Sequence, residues 1–384
     1  MRITRAALLY SSKEENLLSD MIQQRIDKLQ AALRGRNLDA FLVTEPANRR
    51  YLSAYTSTDH GIQESSGVLL IPKKGRPWLL TDSRFELQAK EETQGFTVEL
   101  YKKGLFVLLK TLLAGLGARR LAFESHYFLH AAVGRMEKVL GNDVELVPVT
   151  NLVERMRLIK SEEEIGRLKK AVLLNERVFQ QVHSTVVPGM TEIEIALTIE
   201  RIMREMGAER PSFETIVAFG SNAAKPHAVP SDRVLKEGEI VLIDMGLVLE
   251  GYCSDMTRTF TVGKPDNLFI DRLRVVRQAQ LAATKALRAG AVCREVDLAA
   301  RQIIVDAGYG SCFGHGLGHG VGLAVHEAPR LSSRNRKQLR AGMIVTIEPG
   351  IYFPGWGGIR LENMAVVRED GCELFNEDLT GLDL

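Results

Sequence analysis

The chain has 384 residues, 45% of them hydrophobic, which allows two or three domains with ordinary buried cores and argues against a disordered or fibrous protein. Lys and Arg number 50 against 48 Asp and Glu, so the net charge of +2 offers no footprint for nucleic acid or a membrane surface. Cys253, Cys293, Cys312 and Cys372 are far apart with no C-x-x-C pair, which fits a reducing compartment better than a disulfide scaffold.

Arg2 and Arg5 precede an apolar run, Ala6–Tyr10, too short for a signal sequence, and no run approaches membrane-spanning length, so the expected location is cytoplasmic. Residues 12–36 carry helical spacing and Leu38–Thr44 reads as a strand. Strand candidates at 67–71, 78–81, 97–101, 120–123 and 143–147 then alternate with helical stretches near 83–93, 104–116 and 126–140, predicting an α/β domain. Asn48–Leu52 reads as a loop packed on the first sheet, with a place beside a substrate as the sharper alternative. After a joint at 150–160, Ser161-Glu-Glu-Glu164 and Thr191-Glu-Ile-Glu194 are capping boxes that open a long helix and a second one stopping at Gly207. The long-then-short pair repeats over 266–289 and 294–307, with Gly290 and Gly308 expected as C-caps. Strands at 215–218, 239–245, 253–262, 343–348 and 358–367 predict an α+β layer: an antiparallel sheet covered by helices on one face, the other left open for a site. The domains expected are residues 1–155 and 156–384.

The second part is written twice. Leu235–Gly246 recurs as Leu339–Gly350 with Leu, Gly, Ile, Val, Ile and Gly in register and an acid at matching places, Asp244 and Glu348. Each copy follows a His-x-x-Pro, at His227 and His326, so two related halves each bring a carboxylate on a strand and a histidine before it. A hairpin turning at 249–251 should set Asp244 opposite Asp255 to within a residue, and Glu348 should face Glu362 on the next strand, with Arg360 on the latter's side. Four inward acids raise one another's pKa unless cations lie between them, and a pair of divalent ions supplies that charge. In Gly314-His315-Gly-Leu-Gly-His319-Gly-Val-Gly322 the glycines rule against a helix and predict a loop whose histidine could complete a metal's ligands. Oxygen donors with one nitrogen favour manganese, with cobalt, iron or zinc also compatible, and a hydroxide bridging two such ions could attack a carbonyl. Cys253 shares Asp255's face and reads either as a small core residue or as a neighbour of the metals, while Trp356 reads as substrate wall or surface turn. Nucleotide-binding, serine-hydrolase and zincin motifs are missing.

These residues resemble the pita-bread metallopeptidases, the family of prolidase, aminopeptidase P and methionine aminopeptidase. I-D-M-G, S-D-M-T-R-T-F, G-H-G-L-G-H-G-V-G, H-E-A-P, I-E-P-G-I-Y and G-G-I-R-L-E-N occur in the family's order. The resemblance covers the chain from about Asn151, and the part before it is similar to the creatinase-type domain of the proline-specific members. It implies a fold of an α/β creatinase-like domain followed by a pita-bread domain with a pseudo-two-fold antiparallel sheet. It further implies that Asp244, Asp255, His319, Glu348 and Glu362 bind two metals and that Glu348 takes a proton from the attacking water. His227 and His326 would contact the substrate carbonyl or leaving nitrogen, and His315 and Arg360 would support the site. The implied activity is removal of residues at Xaa-Pro bonds of peptides with proline second, by a homodimer. A creatinase-like C–N hydrolase working without metal, or a non-catalytic binding protein on the same fold, are the alternatives. Asn363 follows Glu362 where the family often has an acid, and strand alternation turns it away from the site.

Overall fold

The computed structural model describes residues 12–377, so Arg2, Arg5 and the Ala6–Tyr10 run lie outside the described residues. Among the described residues no helix is long and apolar enough to cross a membrane. The chain divides into two compact units, Met1–Met156 and Arg157–Leu384.

In the first unit a six-stranded sheet runs in the spatial order Thr97–Leu100, Trp78–Thr81, Val68–Pro72, Ala40–Val43, Arg120–Glu124, Glu145–Val149. Val68–Pro72 is antiparallel to both neighbours and the remaining pairs are parallel. The unbroken apolar Ala40–Val43 is buried along its length, as a central strand covered on both faces requires. The expected loop at 48–52 is instead part of a helix, Pro46–Ser53. Glu45 caps it by accepting from the backbone N–H of Ala47 and Asn48, and Pro46 supplies the fixed φ of a first turn. Its polar residues are structural. Arg49 is fully buried and pairs with Asp59 at 2.8 Å, and Asn48 donates to Glu124 and Glu154.

The second unit opens on the two capping boxes. The Ser161 and Thr191 side chains accept from the backbone of Glu164 and Glu194, whose carboxylates reach back to the cap N–H, and helices Glu162–His183 and Glu192–Glu205 follow. Each box satisfies N–H groups that the first helical turn leaves without an intrahelical partner. The second pair is Asn267–Ala286 and Cys293–Asp306. Gly308, at φ 82°, follows this pair as expected; Gly290 is no C-cap, because Leu287 already ends its helix and Gly290 turns the loop beyond it.

Between the helices, Ile216–Phe219, Ile240–Met245 and Met256–Thr261 form one antiparallel group, and Gly318–Gly320, Ile344–Ile347 and Asn363–Val367 belong to its counterpart. Neither group leaves a face open along its length. Val241, Ile243 and Met245 pack with the first helix pair, while Ile240 and Leu242 share a core with the second pair and with Val345, Ile347 and Ala365. The two halves therefore bury each other's inner faces, and the acids sit where that packing gives out, at the ends of the strands.

One buried ion cluster ties the start of this unit to its sheet. Glu327 accepts from Arg157, from Lys160 at 3.2 Å and from the Ala324 N–H at 3.0 Å. Burial pushes its pKa up, but Lys160 and Arg157 outweigh that and bring it to about 2. The folded value lies below the unfolded one near 4.5, so this carboxylate stabilises the fold above the unfolded value and the contribution is lost as pH falls from there towards 2. Glu327→Gln, which removes the buried charge that Arg157 and Lys160 both face, should cost about 3–5 kcal/mol at neutral pH. In urea denaturation the variant should also lose less stability than wild type between pH 4.5 and 2; parallel curves would refute the assignment.

Candidate metal centre

The hairpin after Ile240–Met245 turns on Glu250 and Gly251, at φ 51° and 85°, a two-residue turn of the kind that matches strand twist. Its register sets Asp244 opposite Thr257, not Asp255. The count from sequence fails because the turn is one residue shorter than assumed; the register itself runs unshifted through the break at Ser254–Asp255, from Leu249–Tyr252 to Met245–Met256. Asp255 stays on Asp244's side, two places from direct pairing. In the other half Ile347 pairs with Asn363, so Glu348 and Glu362 are opposed one step further, as expected.

The segment 314–322 is less open than its glycines suggested. Gly318–Gly320 is a strand paired with Glu327–Leu331 and Ile344–Ile347, with His319 at its centre. A Cβ at Gly318 would lie 2.1 Å from the Thr346 carbonyl oxygen and one at Gly320 2.2 Å from that of Ala328. The glycines serve close strand approach, not disorder.

Asp244, Asp255, Glu348, Glu362, His319 and Arg360 line one cavity of about 830 Å³, together with His227, His315 and His326. Suitable atoms of Asp255, His319 and Glu362 fall within 4.8 Å of one another. The His319 Nδ1 faces the Gly320 carbonyl at 3.1 Å, which places the proton there and turns the Nε2 lone pair to Glu348 at 3.3 Å and Asp255 at 3.5 Å. Burial lowers the His319 pKa to about 4, so the ring is neutral, the form a metal ligand needs. Burial, reinforced by the neighbouring acids, raises Asp255 and Glu362 well above the usual carboxylate range; burial brings Glu348 to about 7.

Arg360 is the cation that meets these acids. Its Nη2 donates to Asp244 Oδ2 at 2.6 Å, its Nε to Thr257 Oγ1 at 2.9 Å and its Nη1 to the Tyr352 hydroxyl at 2.7 Å. The Thr257 hydroxyl in turn donates to Glu362 Oε2 at 2.7 Å. Asp244 Oδ1, in contrast, is buried with no hydrogen-bond partner, which costs about 1–3 kcal/mol or more for a charged group. An orphaned carboxylate oxygen beside three crowded acids and a lone pair on a neutral imidazole is the donor set that divalent cations fit.

The sequence reading missed several contributors. Tyr352, two residues past Gly350, joins Arg360 to His315 Nε2 at 3.0 Å, and the His315 Nδ1 meets the Gly316 carbonyl, so the hydroxyl donates to Nε2. Burial keeps His315 neutral, near 4, and Tyr352 protonated, near 12. Thr346 Oγ1 donates to Glu348 at 3.0 Å and accepts from the His319 N–H. Arg330 and Arg334 also line the cavity. The signals were there: Tyr352 and Thr346 alternate onto the faces of their neighbouring acids, and Arg330 directly follows His-x-x-Pro. Cys253 packs in an apolar cluster with burial pushing its thiol up to about 12, which is the core reading. Trp356 lines a different, smaller pocket and stacks on Arg272. Asn363 accepts from Arg258 and does not line the cavity.

Known proteins resemble this chain along most of its length. Residues 166–369 match the model of metallopeptidase family M24, and residues 25–159 match the creatinase/prolidase N-terminal domain. An uncharacterized peptidase of Bacillus subtilis, YqhT, is 36% identical over 90% of this chain and 96% of its own length. The Xaa-Pro dipeptidase of Pyrococcus horikoshii is 34% identical over 92% and 97%. A solved Xaa-Pro dipeptidase from Bacillus anthracis superposes with a TM-score of 0.86 at 37% identity, covering 93% of this chain and 98% of that one. An X-Pro aminopeptidase from Thermotoga maritima gives 0.81 at 38% identity, over 88% and 95%. With its creatinase-type domain followed by a pita-bread unit of two mirrored halves, the chain belongs to metallopeptidase family M24.

Proposed function

We propose that the chain is a dinuclear metal-dependent exopeptidase that hydrolyses Xaa-Pro bonds, with residues 1–155 as its creatinase-like domain and 156–384 as the catalytic one. Asp244, Asp255, His319, Glu348 and Glu362 would hold two divalent ions, manganese being the ion best suited to mostly oxygen donors. The observation that carries this is the partnerless Oδ1 of Asp244 within a group of buried acids that one arginine does not neutralise. Bound there, the ions would make a water nucleophilic at neutral pH and polarise the scissile carbonyl.

The residues' own contributions follow from their places. Glu348, whose Oε1 lies 3.3 Å from His319 Nε2 on the cavity wall, is placed to take a proton from a water held there. His227 and His326 line the cavity, His326 edge-on to the His319 ring, and would meet a carbonyl oxygen or protonate a departing nitrogen. The latter matters for proline, whose tertiary amide has no N–H to grip and leaves as a secondary amine. Arg330 and Arg334 put positive charge on the cavity wall, which suits the free carboxylate of a dipeptide. The relatives named above include both a dipeptidase and an aminopeptidase, and these two arginines favour the dipeptide. We infer a homodimer from the family resemblance and, from the four free cysteines, a reducing, cytoplasmic compartment.

Chelation should abolish Xaa-Pro cleavage and added manganese restore it, with two ions per chain by elemental analysis. Full activity in metal-free protein would instead support the creatinase-like alternative, and manganese bound without any cleavage a binding protein. Side-by-side assay of Xaa-Pro and Xaa-Pro-Xaa peptides should show the dipeptide preferred, and Arg330→Ala should raise its KM. His319→Ala or Glu348→Ala should lower kcat by about 10²-fold or more. His227→Ala should keep both ions and lose rate; wild-type turnover in that variant would remove His227 from the chemistry.

A further inference from the structure

The geometry points to Glu192, the first residue of helix Glu192–Glu205, as the group that positions His227, an inference resting on the reading that His227 takes part in turnover. His227 lies on 225–230, a segment with neither helix nor strand and with prolines at 226 and 230 that contribute no N–H. Such a stretch has little means of holding its own shape. His227 and Val229 are exposed on it and line the cavity, and Ala228 is buried behind them.

Glu192 holds both ends. Oε1 accepts from the Phe219 N–H at 2.7 Å and from Asn222 Nδ2 at 3.0 Å, and Oε2 from Asn222 Nδ2 at 2.9 Å, the Ser231 N–H at 3.0 Å and Ser231 Oγ at 2.6 Å. One carboxylate thus ties the turn before the segment, at Phe219 and Asn222, to Ser231 just after it, while Arg360 reaches the segment itself by donating to the Pro226 carbonyl at 3.3 Å. Glu192 is fully buried. The helix start does not require it, because Thr191 and Glu194 already form the reciprocal cap. Every partner named is a donor, so the position calls for a group that accepts at both oxygens. Gln would turn an N–H towards one set of these donors, and such charge-assisted bonds are about twice as strong as neutral ones.

The test is a double-mutant cycle in the manganese-loaded enzyme on an Xaa-Pro dipeptide. Glu192→Gln should retain bound metal and KM within about twofold and lower kcat by roughly 10- to 100-fold, the cost of a reacting group misplaced by about an ångström. In a His227→Ala background the same change should alter kcat by less than about twofold, because the group it positions is gone. Glu194→Gln, which weakens only the helix cap, should lower the melting temperature and leave kcat within about twofold. If Glu192→Gln does not fold, Asn222→Ala with Ser231→Ala runs the same cycle from the receiving side. Multiplying effects of the two changes, or full kcat in Glu192→Gln, overturn the inference about Glu192. Unchanged kcat in His227→Ala alone overturns the reading on which it rests, so the two failures are told apart.

Discussion

Four carboxylates converge on a buried point where Arg360 is the cation that touches them, and the architecture around that point answers to this imbalance. Asp255 and Glu362, with ligand atoms within 4.8 Å of each other, would repel by roughly 3 kcal/mol if both were ionised at an effective dielectric of about 20. Arg360 relieves part of this through Asp244 Oδ2, and indirectly through Thr257 and Glu362, while leaving Asp244 Oδ1 unpartnered. The fold tolerates the crowding because rigid strands on opposite sides hold it. Glu348 and Glu362 extend paired strands, and the Glu362 N–H donates to the Thr257 carbonyl of the other half. A site assembled from flexible loops would relax by swinging its acids into water; this one cannot.

The two halves solve a shared problem with different residues. Each must present a histidine from a segment rich in proline or glycine, and each anchors that segment to a covering helix through a buried acid. In the first half the acid is Glu192. In the second, Asp297 accepts from the Leu317 N–H and from Arg301, whose guanidinium donates to the carbonyls of Phe313 and His315. The acids do not fall at matching helix positions. Duplication kept the strand and its carboxylate, but each loop acquired its own support.

The repeated Leu235–Gly246 and Leu339–Gly350 segments made the inner framework legible, because a period of two ties each apolar position to a face and so fixes where the terminal acid points. The capping boxes at Ser161 and Thr191 were equally readable, being local. The failures lie where local rules give way to approach between distant segments. The register of Asp244 hung on whether the turn held two residues or three, and Gly318 and Gly320 looked permissive until strand approach showed why no side chain fits there. Helix Pro46–Ser53 was hidden because its N-cap is a Glu, outside the usual capping set, and its polar residues point inward to buried partners. Glu192 could not be found at all from sequence, since its partners at 219, 222 and 231 are remote in the chain.

Arg360 shows why Thr257 and Tyr352, neither of which lines the cavity, still belong to the site. An arginine free to form a two-armed pair would quench Asp244 and leave no oxygen for a metal. Here the Nε is committed to Thr257 and the Nη1 to Tyr352, so a single Nη2 reaches the acid, and only at Oδ2. Tyr352 is in turn held by the neutral ring of His315, whose own Nδ1 is tied to the Gly316 carbonyl. The chain from Gly316 through His315 and Tyr352 to Arg360 therefore limits how much charge the arginine cancels. On the proposed reading, a site that gathers divalent ions needs its acids restrained but not neutralised, and the Tyr352 hydroxyl, held by the His315 ring, keeps one arm of Arg360 from Asp244.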